Sequence, residues 1–173
     1  MPVLPVVWLE KLDKAPLALS LDDVLLVPQY SDVKLEDIDV STNLTRKLKL
    51  SIPIVSSPMD TVTGREMALK LAELGGLGVL PRNIELKDAV SIVEEARFRK
   101  LPIAAAVGPF DDERVKALVE SGVSLIVIDS AHGHSKNVIE ATRRYKDWGV
   151  DIMSGNVVTA CLLYTSDAAD ERS

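Results

Sequence analysis

The chain has few of the residues on which disulfide-rich and metal-centred proteins depend. Its 173 residues include one cysteine and two histidines, and only 4% are aromatic. A single cysteine excludes an internal disulfide framework and is typical of a reducing cytosol. We therefore expect a cytoplasmic protein without disulfide bonds.

Long apolar runs and an excess of positive charge are also missing. No stretch reaches the roughly 18 apolar residues that a membrane span requires. The 20 Lys and Arg residues are outnumbered by 26 Asp and Glu residues, giving a net charge of −6. This balance argues against a nucleic-acid partner or a membrane surface. A small anionic ligand remains open, because backbone amides at helix N-termini bind phosphate.

What the chain does contain is a regular repeat of short apolar runs separated by helical patterns. The predicted strands are Ile52–Val55, Gly78–Leu80, Ile103–Val107, Leu125–Ile128 and Asp151–Met153. Alternating strands and helices indicate the α/β class, and this rhythm is typical of a parallel (β/α)8 TIM-type barrel. Because a closed barrel has eight units, we expect this chain to hold about the first four to five.

The gaps between the runs carry amphipathic patterns, as expected of outer barrel helices. One follows a candidate capping box of Thr63 and Glu66 and stops at Gly75–Gly76. The others are Glu85–Phe98, Asp112–Ser121 before Gly122, and Lys136–Lys146.

Three segments are expected along the chain. Residues 1–50 form an N-terminal arm, within which Val33–Leu50 suggests a strand or hairpin. Residues 51–160 form the partial barrel. Residues 161–173 are an irregular tail, because the helix due after the fifth strand is missing there. We interpret the tail as foreign sequence joined to a truncated reading frame, or as a frayed end. Cys161 lies in it and is not a candidate nucleophile.

Polar residues follow the fourth predicted strand. Asp129 ends that run, and an ionised carboxylate can accept two hydroxyl hydrogen bonds from a ribose. The alternative is a helix-capping or loop-fixing aspartate. His132 and His134 follow closely, so a metal site with Asp129 is a second alternative. The chain has no third histidine, and we predict no metal site and two loop-packing histidines.

Two other strand ends carry polar or soft side chains. Ser57 and Met59 follow the first run, where a hydroxyl and a polarizable thioether together can hold an aromatic ring. Asn156 follows the fifth run after a glycine, and its amide both donates and accepts hydrogen bonds. Read alone, the first pair is equally a strand exit with Met in the core, and the second is equally a turn.

Taken together, the motifs resemble the inosine-5′-monophosphate (IMP) dehydrogenase family from about Ala18 to Ala160. The segments that carry the resemblance are Leu21–Pro28 (LDDVLLVP), Ser56–Val62 (SSPMDTV), Gly76–Asn83 (GLGVLPRN), Ala105–Gly108 (AAVG), Asp129–Ser135 (DSAHGHS) and Gly155–Thr159 (GNVVT). GMP reductase shares the barrel and much of the loop chemistry, and is the alternative within the same class. The form of Asp22–Gln29 (DDVLLVPQ) is more similar to the dehydrogenase.

The resemblance implies substrate-binding roles for three residues. Ser57 and Met59 correspond to residues that line the IMP pocket. Asn156 corresponds to the family asparagine where substrate and nicotinamide meet.

The resemblance also implies three cofactor-binding residues. Asp129 corresponds to the aspartate that holds the ribose of NAD, with Ser130 beside it. Arg82 falls where the family has a basic or histidine residue near the cofactor. Pro81 departs from the histidine usual in that stretch, so no role is assigned to it.

The implied activity is the NAD-dependent oxidation of IMP to xanthosine monophosphate in guanine nucleotide biosynthesis. In the family, a cysteine thiolate attacks the purine, hydride passes to NAD and water hydrolyses the covalent intermediate. The nucleophilic cysteine loop, the mobile flap and the K+ site belong to later parts of the barrel that this sequence does not contain. We therefore expect this chain alone to be inactive, and the full-length enzyme to be a homotetramer.

A further departure concerns regulation. The family usually carries paired regulatory CBS modules before the third strand. Here the chain from Asn83 to Ile103 has room for one helix only, so we expect no such modules. Outside the enzyme class implied by the family, a metal-dependent barrel hydrolase and a non-catalytic nucleotide-binding half-barrel remain as alternatives.

Overall fold

A computed structural model describes residues 13–15, 17 and 19–157 of the chain. The chain divides into two compact units, of which the first ends at Ile38 and the second begins at Asp39. In the first, short 3₁₀ helices span Leu21–Asp23 and Leu35–Asp37. The side chains of Leu25 and Leu26 there are 95% and 98% exposed. The predicted tail, with Cys161, lies outside the described residues.

The second unit begins with a short antiparallel hairpin. Strand β1 (Thr42–Asn43) pairs with β2 (Lys49–Leu50), with Thr42 opposite Leu50. This confirms the predicted hairpin for the second part of the segment 33–50. The first part is mostly irregular, with the 3₁₀ helix at Leu35–Asp37.

Four parallel strands form the main sheet. Strands β3 (Gly78–Leu80), β4 (Ile103–Val107), β5 (Leu125–Asp129) and β6 (Asp151–Gly155) lie side by side in chain order. The α/β class is confirmed, and the arrangement is that of part of a (β/α)8 barrel. Strands β5 and β6 extend beyond the predicted runs to include Asp129 and Gly155, which pair with each other.

The first predicted strand, Ile52–Val55, is wrong as a strand. It forms a single parallel bridge, between Val55 and Leu77, supported by hydrogen bonds of 3.0 Å from Leu77 N to Ile54 O and from Ser56 N to Leu77 O. Pro53 has no N–H with which to extend a ladder. The segment therefore lies beside the sheet without continuing it.

Four helices alternate with the strands. They are α1 (Arg65–Glu73), α2 (Leu86–Phe98), α3 (Asp112–Ser121) and α4 (Lys136–Lys146). Gly122 ends α3 with φ +95°, a left-handed conformation that favours glycine. Only α2 lies between Asn83 and Ile103, so no regulatory module is inserted there. Among the described residues, no helix is both long and apolar enough to cross a membrane.

The predicted capping box of Thr63 and Glu66 is wrong. Helix α1 begins one residue later than that pattern requires, with Gly64 as its N-cap and no side-chain cap. Thr63 is fully buried, and its hydroxyl donates to Ser57 O at 2.6 Å. A tertiary hydrogen bond therefore replaces the local cap.

The sheet separates two apolar clusters. The outer cluster lies between the sheet and the helices and contains Leu80, Ile103, Ile126, Ile128 and Tyr145 among others. The inner cluster lies on the opposite face and joins the strands to Leu50 of the hairpin. Its other buried members are Leu77, Val79, Ala104, Ala106 and Leu125. Residues alternate between the clusters along each strand, because successive side chains point to opposite faces.

Candidate functional site

The carboxyl ends of the four parallel strands form one edge of the sheet, here called the carboxyl edge. It is defined by Leu80, Val107, Asp129 and Gly155. In parallel β/α folds, ligands bind outside this edge, on the loops that follow the strands. Every site residue predicted from the sequence lies at this edge or on a loop beside it.

The loop of residues 56–63 is fixed to β3 through Ser56. The Ser56 hydroxyl accepts a hydrogen bond of 3.1 Å from the backbone N–H of Val79 and one of 2.9 Å from Thr63. The hydroxyl of buried Thr63 also donates a hydrogen bond to the carbonyl oxygen of Ser57. These bonds occupy the loop backbone and leave the Ser57 and Met59 side chains exposed, Met59 by 51%. Both side chains are therefore accessible to a ligand.

The loop after β3 contacts this first loop. The amide of Asn83 donates to a carboxylate oxygen of Asp60 at 2.7 Å. Neither residue was singled out from the sequence, although both lie within motifs that carry the family resemblance. The signal that could have found them is that each follows a predicted strand at the same edge.

Arg82 is paired with Asp111 rather than free. Its Nε lies 3.5 Å from Asp111 Oδ2, and the same oxygen accepts from the Gly108 N–H at 2.6 Å. The Arg82 side chain remains 58% exposed. A cofactor contact through Arg82 must therefore coexist with this ion pair or displace it.

Arg114, on α3, contacts the backbone of the loop after β3, which carries Arg82. Its guanidinium donates to Ile84 O at 2.9 Å and lies 3.5 Å from Pro81 O. Burial lowers the pKa of Arg114, the negative charge of Asp111 raises it, and the positive charge of Arg82 lowers it, with a net decrease. The Arg114 guanidinium thus contacts backbone carbonyl oxygens on both sides of Arg82 and Asn83.

Asp129, Ser130 and Asn156 are brought together by the pairing of β5 with β6. Asp129 is opposite Gly155 in the ladder, and Asn156 N donates to Ser130 O at 2.6 Å. The Asp129 and Asn156 side chains are exposed. The Asp129 carboxylate makes no hydrogen bond or ion pair with another described residue, so its acceptor oxygens are available to a hydroxyl-bearing ligand.

The two groups of predicted site residues are not joined directly. Across residues 19–157, no hydrogen bond connects the loop of Ser57 and Met59 with the cluster of Asp129, Ser130 and Asn156. Their common feature is position at the carboxyl edge.

The two histidines are exposed, and their ring centroids are 6.4 Å apart. No group of three or more His, Cys, Asp or Glu side chains able to hold a metal ion occurs among the described residues. The alternative of a metal-dependent hydrolase therefore has no cluster of ligands to support it in this part of the chain.

Beside the site, α3 and α4 are joined by charged groups. Arg144 donates to Asp112 Oδ1 from Nε at 3.0 Å and from an Nη at 2.8 Å, and also to Pro109 O. The buried Tyr145 hydroxyl donates to Gly108 O at 3.3 Å. Burial raises the pKa of Tyr145, chiefly because its anion would be desolvated. These bonds fix the loop between β4 and α3, which carries Asp111.

Comparison with known proteins agrees with this geometry. The IMP dehydrogenase / GMP reductase domain family matches residues 18–165. The chain belongs to this family. The match includes residues of both units and every loop of the carboxyl edge.

Curated relatives carry the name inosine-5′-monophosphate dehydrogenase. The Cryptosporidium parvum protein is 34% identical over 82% of this chain and 46% of its own length. The Methanocaldococcus jannaschii protein is 40% identical, over 88% of this chain and 33% of its own length. The Rhodopirellula baltica protein is 27% identical over 83% of this chain and 51% of its own length. The chain thus spans about half or less of the length of these dehydrogenases.

The alignment with the Rhodopirellula baltica dehydrogenase extends over 273 positions, many more than the matched residues of this 173-residue chain. That relative therefore has additional residues within the matched region. This agrees with the single helix α2 that fills the interval between Asn83 and Ile103.

Proposed function

We propose that these residues bind substrate and cofactor in an enzyme that oxidises IMP to xanthosine monophosphate with NAD. The observation that carries the proposal is the cluster of Asp129, Ser130 and Asn156 at the carboxyl edge of a chain from this family. An exposed carboxylate beside a hydroxyl suits the two hydroxyls of a ribose, because the carboxylate only accepts hydrogen bonds.

The donor set fits the cofactor. NAD, when bound, supplies the hydride acceptor. Asp129 accepts hydrogen bonds from the ribose hydroxyls, and Ser130 lies beside it. Arg82 contributes positive charge near the cofactor while paired with Asp111.

The purine is held from the other loop. Exposed Ser57 offers a hydroxyl, and the Met59 thioether packs against the ring. We assign Asn156 to the point where substrate and nicotinamide meet, because its amide can donate and accept at once. Bringing two reactants into a defined geometry lowers a barrier by several kcal/mol, and positioning is the contribution we assign to these residues.

The test uses the complete gene product from which these residues come, because the chain spans half or less of its relatives' length. We expect formation of NADH when IMP and NAD are supplied together. Consumption of NADPH with GMP, without oxidation of IMP, would identify the GMP reductase alternative instead. Activity with neither pair would contradict the proposal.

The 173-residue chain alone is expected to form no NADH and to self-associate. Strand β3 has only the Val55 bridge on its free side, and β6 pairs only with β5 among the described residues. Open strand edges pair readily with other chains. Size-exclusion chromatography with an NADH absorbance assay tests this. A monodisperse monomer that reduces NAD in the presence of IMP would disprove it.

For the complete enzyme we propose a homotetramer. Light scattering coupled to size-exclusion chromatography gives the mass directly. A stable monomer at assay concentration would contradict this part of the proposal.

A further inference from the structure

The motif of two histidines contains a glycine that lies against the backbone of Asn156. Gly133 is buried, whereas His132 and His134 on either side are exposed. The Gly133 N–H donates to Asn156 O at 3.0 Å. The hydrogen bond from this motif to Asn156 therefore comes from its backbone.

Both backbone polar groups of Asn156 are bound by the same short loop. Its carbonyl accepts from Gly133, and its N–H donates to Ser130 O at 2.6 Å. Asn156 lies just beyond the last residue of β6, where no regular ladder fixes it. The loop after β5 thus makes the backbone hydrogen bonds with Asn156 that a neighbouring strand makes within a sheet.

Space, rather than an unusual backbone conformation, makes glycine necessary at position 133. A Cβ atom built there would lie 2.7 Å from Asn156 O and 3.1 Å from Gly155 C, and Gly133 does not have positive φ. Both contacts are with backbone, which cannot rotate away as the end of a side chain can. A larger residue must therefore displace Asn156.

We propose that Gly133 is a positioning residue that sets the location of Asn156 for the substrate. This inference rests on the proposed function, in which Asn156 lies where substrate and nicotinamide meet. Asp129, in contrast, is held by its own pairing within the β5–β6 ladder. Replacing Gly133 should consequently disturb substrate geometry more than cofactor affinity.

The experiment compares Gly133→Ala with Gly64→Ala in the complete gene product. Gly64 is the matched control, because a Cβ atom there meets no atom within 4 Å and its φ is −94°. We expect Gly133→Ala to lower kcat with IMP about 100-fold, the effect of a misplacement of about 1 Å. The KM for NAD should stay close to that of the wild type. Gly64→Ala should behave as the wild type in both respects.

Hydrogen exchange supplies a readout that does not depend on the reaction. In Gly133→Ala, the amide of Asn156 should exchange faster, seen as greater deuterium uptake by a peptide covering residues 150–157. Peptides from β4 should be unchanged. If the wild type oxidises no IMP, the proposed function fails, and the exchange measurement still tests the positioning role.

Three results would overturn the inference. One is Gly133→Ala kinetics and exchange identical to those of the wild type. Another is an equal loss in the affinities for NAD and IMP. The third is general loss of the fold, since Gly133 would then be required for stability rather than for placing Asn156.

Discussion

The two faces of the parallel sheet differ in what they pack against. The outer face meets four helices and buries large side chains, including Ile126, Ile128 and Tyr145. The inner face carries the two alanines Ala104 and Ala106 of β4 and packs against Leu50 of the hairpin instead of against helices. Along β5 the inner positions are Leu125, Val127 and then Asp129, since side chains alternate. The outer face thus joins the sheet to the helices, whereas the inner face ends at residues that we propose bind ligands.

The largest expected effect contrasts neighbouring residues of β5. Ile126 is fully buried on the outer face, while Val127 is half-buried on the inner face. Ile126→Ala should lower the free energy of unfolding by about 2–5 kcal/mol, because it removes packed methyl groups and leaves a cavity. Val127→Ala should cost about 1 kcal/mol. Denaturation midpoints of the complete gene product measure both, and equal losses would refute the contrast between the faces.

At the end of the inner face, Asp129→Ala should weaken NAD rather than IMP. Loss of charge-assisted hydrogen bonds from the ribose should cost about 2–3 kcal/mol, or roughly 30- to 150-fold in affinity. Calorimetric titration with each ligand separates the two effects. Our assignment of Asp129 to the cofactor would not survive an equal decrease in IMP affinity.

Arg114→Met should have a smaller effect, confined to the loop after β3. The variant keeps the length of the side chain but leaves Ile84 O without its donor, which should cost about 1–2 kcal/mol. The exposed side chain of Arg143 makes no hydrogen bond or ion pair among the described residues, and Arg143→Met provides the control. Thermal midpoints compare the two, and faster exchange in residues 81–85 should accompany only the first. Equal midpoints would mean that Arg114 does not support this loop.

The smallest expected effect is a dependence of stability on pH, through the ion pair of Asp112 with Arg144. Burial alone would raise the pKa of Asp112, but hydrogen bonds from Arg144 and the charges of Arg144 and Lys116 lower it overall. The pair therefore adds stability above the ordinary aspartate pKa of about 3.9, and this stability is lost as the pH falls through the lowered value. Because Asp112 and Arg144 are 46% and 39% exposed, solvent screens the gain.

Asp112→Asn should remove that dependence. Its thermal midpoint should fall less than that of the wild type as the buffer is acidified below the ordinary aspartate pKa. Glu113→Gln, on the exposed side of α3, controls for loss of charge. Parallel pH curves for the wild type and Asp112→Asn would show that the ion pair contributes nothing.

Helices α2, α3 and α4 follow from the sequence because their signals are local. Apolar residues at helical spacing and a glycine in the left-handed conformation determine the bounds Asp112–Ser121 without help from the rest of the chain. Thr63 shows the limit of such signals. Its capping pattern is local, yet its hydroxyl bonds to Ser57 in the folded structure.

The sequence predicts where the candidate site residues lie, but not which of them contact one another. That Asp129 and Asn156 follow strands places both at the carboxyl edge. The pairing of Asp129 with Gly155 and the hydrogen bonds of Asn156 to Ser130 and Gly133 depend on the β5–β6 register and on the close approach of Gly133, which no short stretch of sequence encodes. The pairing of Arg82 with Asp111 likewise joins residues from two different loops.

The β1–β2 hairpin has a practical consequence for protein engineering. Leu44, Leu48 and Leu50 pack on the inner face, and Thr45 and Lys47 contact Asp151 at the start of β6. The hairpin thereby closes the end of the sheet opposite the carboxyl edge. A reporter domain inserted at exposed Arg46 would lie on the side away from the proposed binding site, whereas the same insertion at exposed Ala131 would lie beside that site.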